Sequence, residues 1–213
     1  MKRYQYILLD WDGNLIQTLQ VWLEACRAPL EKRGVKLTDE EVAASFGQFP
    51  AHIKKWGLEA ETDAIWEEAD KIAKAKLPEA YLYPDALDVL QELKSRNKKL
   101  ALVTTSLREH LLSALDRHGM SQLFDAIVTG DDVANHKPHS EPIDKALGLL
   151  GGDNATVVMV GDSDKDLGAA QNAGVDSILF FPPEHSNFYS IEELRKHNPT
   201  HIISDFRKML DIV

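Results

Sequence analysis

Two aspartates, Asp10 and Asp12, are separated by one residue and are followed by Gly13 at the end of an apolar run. Residues 7–9 predict a strand buried on both faces, so the aspartates fall at its carboxyl end, where open α/β sheets bind ligands. Two carboxylates this close repel each other unless positive charge lies beside them, and a divalent cation is the usual source. The motif therefore indicates a metal site with oxygen ligands. Taken alone, it is equally compatible with an acidic turn, because turns favour Asp and Gly.

The composition predicts a folded protein that does not bind polyanions. The 213 residues are 44% hydrophobic, which suffices for one large core or for a core and a small second lobe. Asp and Glu number 34 against 24 Lys and Arg, and the net charge of -10 argues against nucleic acid or an anionic membrane as the main partner. Cys26 is the one cysteine, so neither an intramolecular disulfide nor a thiolate metal cluster is possible.

The hydropathy pattern contains no candidate membrane span. No apolar run approaches the roughly 20 residues that a transmembrane helix needs. The first apolar stretch ends in Asp after a few residues and lacks a signal-peptide cleavage pattern. We therefore expect a soluble, cytoplasmic protein, either a monomer or a homodimer.

Two kinds of periodicity divide the chain. From about Thr18 to Leu77 the pattern is helical, and Thr38 with Glu41 predicts a capping box at the start of one helix. From Pro84 onward, helical and strand patterns alternate, as in a parallel sheet with crossover helices. We therefore predict an α/β fold, with a Rossmann-like parallel sheet core and an inserted all-helical cap domain.

The simplest domain organisation joins the first strand to the later βα units. It gives a discontinuous core domain at residues 1–15 and 82–213 and a cap domain at residues 16–81. Proline and glycine residues near both crossings suit a hinge between the two lobes.

Chemically useful residues also follow later strands or occupy nearby loops. The strand at residues 100–103 ends in Thr104, Thr105 and Ser106, whose hydroxyl groups and backbone N–H groups are suited to a phosphate. Lys137 precedes a proline in a loop and offers a compact cation on a flexible stem.

A second pair of acids follows the apolar run VVMVG. Asp162 and Asp166 are four residues apart at a predicted helix start, which places both carboxylates on one side of the helix. This spacing suits one direct metal ligand and one residue that orients it.

The order of these motifs is restrictive: acid pair, hydroxyls, lysine, acid pair. In this order the chain resembles the haloacid dehalogenase superfamily of phosphohydrolases, from Tyr4 to Ile178. The inserted helical segment is similar in position and helical character, though not in residues, to the cap of the phosphoglycolate phosphatase and β-phosphoglucomutase branch. The branch that attacks carbon lacks a carboxylate at the second motif position, so Asp12 favours phosphoryl transfer.

The resemblance implies a role for each acid. Asp10 would be the nucleophile that forms an aspartyl-phosphate, and Asp12 would act as general acid to the leaving oxygen and then as base to water. Mg²⁺ would be held by Asp10, the backbone carbonyl of Asp12 and Asp162. Asp166 would orient this set of ligands.

The resemblance also assigns the phosphate contacts. Thr104 would bind the phosphoryl oxygens, and Lys137 would pair with Asp10 and with the same phosphate. Two positions depart from the family pattern: Asn14 and Thr105 stand where the family usually has Thr and Asn. We expect Asn14 to bond the turn and to preserve activity, whereas Thr105 leaves the exact set of phosphate donors open.

Substrate selection is expected to reside in the cap. Residues 46–58 carry His52, Lys54, Lys55 and Trp56 in a segment broken by proline. Our hypothesis is that a basic residue here, His52 or Lys55 in particular, contacts the non-phosphate part of the substrate.

The sequence thus predicts a Mg²⁺-dependent phosphatase that acts on a small phosphorylated metabolite, with a phosphoglycolate-like substrate as one option. A phosphosugar mutase, a pyrophosphatase and a nucleotidase remain open, because the motifs are common to all of them. A non-catalytic sensor of a phosphorylated ligand is the alternative from another class. The acid–base residue Asp12 argues against it, because a pure binder has no need of that group.

Overall fold

A six-stranded parallel sheet carries the candidate site. The computed structural model describes residues 4–46 and 48–213. Its strands are β1 (Tyr6–Leu9), β2 (Lys99–Val103), β3 (Ala126–Val128), β4 (Val157–Gly161), β5 (Asp176–Phe180) and β6 (His201–Ile203). They lie in the order β3-β2-β1-β4-β5-β6, and every neighbouring pair is parallel. The predicted α/β fold with a Rossmann-like parallel sheet is confirmed.

Strand β1 lies inside the sheet between β2 and β4. Leu8 is in register with Ala101 on one side and Met159 on the other. Successive side chains of a strand point to opposite faces, so Ile7 and Leu9 enter one apolar cluster and Leu8 enters another. Truncating a fully buried leucine such as Leu8 to Ala costs about 2–5 kcal/mol, so this strand is held firmly in place.

Four helices, which we call the insert helices, follow β1 in the sequence and precede the other five strands. They are α1 (Leu19–Glu31), α2 (Asp39–Ala43), α3 (Phe49–Lys55) and α4 (Thr62–Lys76). The predicted capping box of α2 is present, with Thr38 and Glu41 exchanging hydrogen bonds. The insert helices enclose an apolar cluster of their own, to which Phe188 of the later chain also belongs. Gly47, between α2 and α3, lies outside the described residues, as do residues 1–3 of the predicted core domain.

The remaining helices follow the later strands or connect them. They are α5 (Ala86–Ser95), α6 (Arg108–Arg117), α7 (Glu141–Leu150), α8 (Asp164–Ala173), α9 (Ile191–Arg195) and α10 (Met209–Ile212). Short 3-10 turns occur at Glu59–Glu61, Leu77–Glu79, Gly130–Asp132, Asn154–Thr156, Pro183–Asn187 and Phe206–Lys208. Within the described part of the chain, none of the helices combines the length and the apolar character needed to cross a membrane.

Candidate active site

Three buried carboxylates meet at the carboxyl ends of β1 and β4. Asp10 directly follows β1, and its backbone N–H donates to Val160 O in β4 at 3.0 Å. Asp162 directly follows β4, and Asp166 lies in the first turn of α8. Asp10, Asp162 and Asp166 each place an oxygen atom within 4.8 Å of the others. The sheet therefore unites residues that are far apart in the sequence.

Lys137 supplies the buried cation of this cluster. Its Nζ lies 2.9 Å from Asp10 Oδ1 and 2.6 Å from Asp166 Oδ1. It also donates to Val103 O, at the end of β2, at 3.0 Å. The lysine side chain is only 3% exposed, so its charge acts on the carboxylates with little screening by water.

The cluster carries more negative than positive charge. Burial raises the pKa of Asp10 to about 7, an effect that Lys137 opposes and Asp166 reinforces. Burial and the neighbouring Asp166 raise the pKa of Asp162 well above its usual value. Burial by itself would lower the pKa of Lys137, but Asp10 and Asp166 outweigh it and raise that pKa. Three carboxylates facing one ammonium group thus call for a further cation.

Asp162 offers a ligand atom for such a cation. Its Oδ2 is buried and has no hydrogen-bond partner among the described residues, although buried carboxylate oxygens are normally paired. A divalent cation that prefers oxygen ligands, such as Mg²⁺, would bind this oxygen and offset the charge excess. The residues present therefore fit the predicted metal.

Asp166 is bonded on both carboxylate oxygens. Its Oδ1 accepts from Lys137 at 2.6 Å. Its Oδ2 accepts from the backbone N–H and the hydroxyl group of Ser163, at 3.1 and 2.6 Å, which closes a capping box on α8. Because both oxygens are engaged, Asp166 is suited to hold Lys137 in place rather than to exchange ligands.

Asp12 lies apart from the buried cluster and faces the insert helices. Its Oδ1 accepts a hydrogen bond from Trp22 Nε1 of α1 at 3.0 Å. Its Oδ2 accepts from the hydroxyl group of Ser106, in the turn after β2. The carboxylate is thus bonded to two segments, one on each side of the boundary between the insert helices and the sheet.

The hydroxyl residues after β2 occupy different positions. Thr104 is buried, and its Oγ1 accepts from the backbone N–H of Ser106 at 3.1 Å. Thr105 and Ser106 line the cavity above the acids, whereas Thr104 does not. The sequence drew attention to Thr104 and Thr105 as phosphate contacts, but it did not predict the bond from Ser106 to Asp12. The clustering of three hydroxyl residues in one turn was the available signal.

Close packing explains the two residues after Asp12. Gly13 has a φ of +73°, and a Cβ atom there would lie 2.4 Å from Asp162 Oδ2. Asn14 is fully buried, and its Nδ2 donates to the backbone carbonyl of Asp10 at 3.0 Å. Asn14 therefore bonds the turn that carries both aspartates.

A cavity of about 400 Å³ opens above the acids, between the sheet and the insert helices. The sheet side contributes most of the charged and hydroxyl-bearing residues: Asp10, Asp12, Thr105, Ser106, His110, Asp131, His136, Lys137, Asp162, Ser163, Lys165 and Tyr189. The insert helices contribute Leu19, Trp22, Cys26, Phe49, Pro50, Trp66 and Asp70, and the turn after α2 contributes Phe46. Pockets of this size accommodate small organic ligands.

The basic residues of α3 do not line this cavity. Lys54 and Lys55 are exposed, with Lys54 lying 3.8 Å from Glu59. His52 shares a hydrogen bond with Gln48 O at 3.2 Å, and its ring lies near that of Trp56. The structure therefore does not bring His52 and Lys55 together with the acids.

Comparisons with known proteins address the family. The profile of the family described as haloacid dehalogenase-like hydrolase matches residues 7–180. A protein named as pyrophosphatase PpaX in Caldanaerobacter subterraneus subsp. tengcongensis is 31% identical over 214 residues, covering 97% of this chain and 93% of that protein. A structure described as a haloacid dehalogenase-like hydrolase from Bacteroides fragilis has a TM-score of 0.84 at 26% identity and covers 97% of this chain and 100% of that one.

A second structure, named as a phosphoglycolate phosphatase from Lactobacillus plantarum, has a TM-score of 0.82 at 20% identity and covers 99% of this chain and 100% of that one. At this level of identity the likeness concerns the fold alone. The profile match includes all four of the motifs on which the sequence resemblance rests. The resemblance is thereby confirmed, and the chain belongs to the haloacid dehalogenase-like hydrolase family.

Proposed function

We propose that this protein is a Mg²⁺-dependent phosphatase that hydrolyses a small phosphorylated metabolite through an aspartyl-phosphate on Asp10. The observation that carries this proposal is the arrangement at the cavity floor. Asp10 lies 2.9 Å from the ammonium group of Lys137. Asp12, two residues on, is held separately by Trp22 and Ser106. A nucleophile next to a cation and a second carboxylate free of the cluster are the parts that two-step phosphoryl transfer needs.

In the first step an oxygen of Asp10 attacks phosphorus, and the bond from phosphorus to the alcohol oxygen breaks. Asp12 enters this step protonated, gives its proton to that alcohol oxygen and becomes a carboxylate, so the alcohol leaves neutral. In the second step Asp12 takes a proton from water, whose oxygen attacks the phosphoryl group and releases Asp10. Lys137 offsets the charge repulsion between the attacking carboxylate and the phosphate in the first step, and it offsets the negative charge of the phosphoryl group in the second.

The metal would be held by Asp10, the backbone carbonyl of Asp12 and Asp162. When bound, it supplies positive charge beside the phosphoryl oxygens. Asp166 acts indirectly, by fixing Lys137 through its 2.6 Å contact. Thr105, which lines the cavity, is proposed to contact the phosphate from the turn after β2. Thr104 is proposed as a second contact, for which its buried side chain must turn toward the cavity.

The insert helices act as a cap over this site. We assign residues 16–81 to the cap and residues 1–15 and 82–213 to the core. Closing a cap over the reacting groups excludes water, which strengthens the electrostatic interactions inside. The proposed assignment is supported by the cavity between the two parts, to which both contribute.

The test uses Asp10→Asn, which keeps the shape of the side chain and removes the nucleophilic charge. We expect loss of hydrolysis of p-nitrophenyl phosphate in Mg²⁺, with an unchanged circular dichroism spectrum. The control, Asp164→Asn, changes an exposed carboxylate at the start of α8 and should retain activity. Acid quenching of the wild type during turnover should add the mass of one phosphoryl group to the peptide that contains Asp10. Normal activity of Asp10→Asn contradicts the assignment of the nucleophile.

Pyrophosphate hydrolysis is the second candidate, favoured by the name of the relative that is 31% identical. A phosphosugar mutase would isomerise a sugar phosphate, and a sensor would bind a phosphorylated ligand without turnover. Measuring free phosphate from pyrophosphate and from phosphate esters, and isomerised product from sugar phosphates, separates these activities. Tight binding of a phosphorylated ligand without any turnover supports the sensor.

A further inference from the structure

We propose that the substrate is a phosphate ester whose alcohol carries an aromatic ring and no negative charge. The inference rests on the proposed phosphatase function and names the substrate class of that same site. It is drawn from the surface that the insert helices present to the cavity, opposite the reacting groups. We call this surface the aromatic wall and define it by Trp22, Phe46, Phe49 and Trp66.

The aromatic wall is apolar over nearly all of its extent. The insert helices and the turn after α2 contribute eight residues to the cavity lining, of which seven carry no charge and Asp70 is the exception. Trp22, Phe46 and Trp66 are only partly buried. Binding of an apolar group over apolar surface in a cavity is favourable, because it removes that surface from water.

The aromatic wall is also fixed in position. Phe49 is the buried member of the wall, with its ring 6.3 Å from that of Trp66 and 6.1 Å from that of Trp56. Trp22 is anchored by its bond to Asp12. Aromatic rings prefer tilted and offset neighbours at about these distances, so a ring in the substrate has a preorganised surface to pack against.

The charges of the wall disfavour an anionic leaving group. Among its described residues the insert helices give the cavity no cation, and the face of an aromatic ring repels negative charge. Asp70 adds a carboxylate, which pairs with Lys74 at 2.8 Å. The cavity lysines, Lys137 and Lys165, lie on the sheet side, where the phosphate is expected. His110 and His136 also lie on that side. A second anion of phosphoglycolate or pyrophosphate that faces the wall would therefore meet no cation from the described residues of the insert.

The experiment compares compounds with the same phosphoryl group. Three of them are ethyl phosphate, 2-phenylethyl phosphate and 2-phosphoglycolate, each of which releases a primary alcohol on hydrolysis. The fourth compound is inorganic pyrophosphate. We expect kcat/KM for 2-phenylethyl phosphate to exceed that for ethyl phosphate by about tenfold or more, as a fitting apolar pocket provides. The values of kcat/KM for phosphoglycolate and for pyrophosphate should both be lower than that for 2-phenylethyl phosphate.

Variants then locate the preference. Trp66→Ala removes a ring of the aromatic wall, whereas Trp56→Ala removes a ring from the same apolar cluster but outside the cavity lining. Trp66→Ala should bring the ratio of kcat/KM for 2-phenylethyl phosphate to kcat/KM for ethyl phosphate close to one. Trp56→Ala should leave this ratio unchanged. Trp66→Leu, which keeps more apolar volume, replaces Trp66→Ala if the latter does not fold.

The outcomes separate the two proposals. If the wild type hydrolyses esters but prefers phosphoglycolate or pyrophosphate, or if folded Trp66 variants keep the full ratio, the aromatic substrate class is wrong and the phosphatase assignment stands. If the folded, Mg²⁺-loaded protein hydrolyses none of the four compounds, the phosphatase assignment fails, and the substrate class fails with it.

Discussion

Trp22 donates a hydrogen bond from Nε1 to Oδ1 of Asp12 at 3.0 Å. Trp22 belongs to α1, and Asp12 belongs to the turn after β1, so the bond crosses from the insert helices to the sheet. The other oxygen of Asp12 accepts from Ser106. The plane of the proposed acid–base carboxylate is therefore set by two donors from separate elements, and it depends on where α1 lies.

Replacing Trp22 by Phe tests this dependence. Trp22→Phe keeps an aromatic ring in the cavity wall and removes the donor. Hydrogen bonds to charged groups contribute about 1.5–3 kcal/mol, so we expect kcat to fall about tenfold or more while KM changes little. Steady-state kinetics on ethyl phosphate measure both constants. Trp66→Phe is the control, because Trp66 lines the cavity but has no hydrogen bond to Asp12. An unchanged kcat in Trp22→Phe shows that α1 does not position Asp12.

A second prediction concerns the close approach at Gly13. In Gly13→Ala the new Cβ would lie 2.4 Å from Asp162 Oδ2 and 2.8 Å from a methyl group of Leu19, at a φ of +73°. Gly57 has a φ of +78°, but a Cβ atom there meets nothing within 4 Å. Gly57→Ala should cost about 1 kcal/mol from backbone strain alone. Gly13→Ala should cost about 1–3 kcal/mol more and abolish activity. Urea unfolding and activity assays compare the two, and equal losses would mean that Asp162 simply moves aside.

A third prediction concerns the metal. Treating the protein with a chelator and then adding Mg²⁺ at about one hundred times its Kd should stabilise the fold by roughly 2.7 kcal/mol, or about 5–10 °C in Tm. Asp162→Asn should raise the Tm of the metal-free protein, because it removes one carboxylate from a crowded buried cluster. The same variant should lose the response to Mg²⁺.

Asp164→Asn serves as the control for the metal experiment. Asp164 is exposed at the start of α8 and lies outside the cluster, so this variant should keep the Mg²⁺ response. A full response to Mg²⁺ in Asp162→Asn excludes Asp162 as a ligand.

The fourth prediction concerns stability at low pH. His185 is fully buried, and burial lowers its pKa from 6.5 to about 3. Between these values the unfolded chain binds a proton that the folded chain does not bind. Stability should therefore decrease as the pH falls through this window, by up to ~1.4 kcal/mol per pH unit from this group. Neutral His185 shares a 2.7 Å hydrogen bond with the hydroxyl group of Tyr83.

His185→Gln keeps a polar side chain beside Tyr83 and does not titrate. From pH 7.5 to pH 5, the wild type should lose about 2 kcal/mol more unfolding free energy than the variant does. Urea denaturation at the two pH values measures the difference. Equal losses in the two proteins would mean that folding does not lower the pKa of His185.

The sheet was predictable because its central strands are continuous apolar runs that end in acids. Parallel pairing places the ends of β1 and β4 side by side, which brings Asp10 and Asp162 together. The helical character of the insert and the capping box at Thr38 followed from local patterns. Local spacing and the rules of parallel sheets were thus sufficient for the fold and for the position of the acids. The chemical roles of these residues remain predictions.

The contacts between the insert helices and the sheet were not predictable in the same way. A helical pattern shows that Trp22 lies on an apolar face, but not that this face meets Asp12. Helix α3 has seven residues, too few for the pattern to decide which side His52 and Lys55 occupy. The orientation of each helix face depends on how the whole insert packs, and this packing involves residues far apart in the sequence.

The position of β1 also has a consequence for synthesis on the ribosome. Leu8 is made long before its neighbours Ala101 and Met159. At 5–20 residues per second, roughly 8–30 s pass before the second neighbour has been translated. The insert helices can fold during this interval, because their contacts are local. The strand that leads to Asp10 must wait as an unpaired apolar segment, and we expect it to be where a chaperone binds the nascent chain.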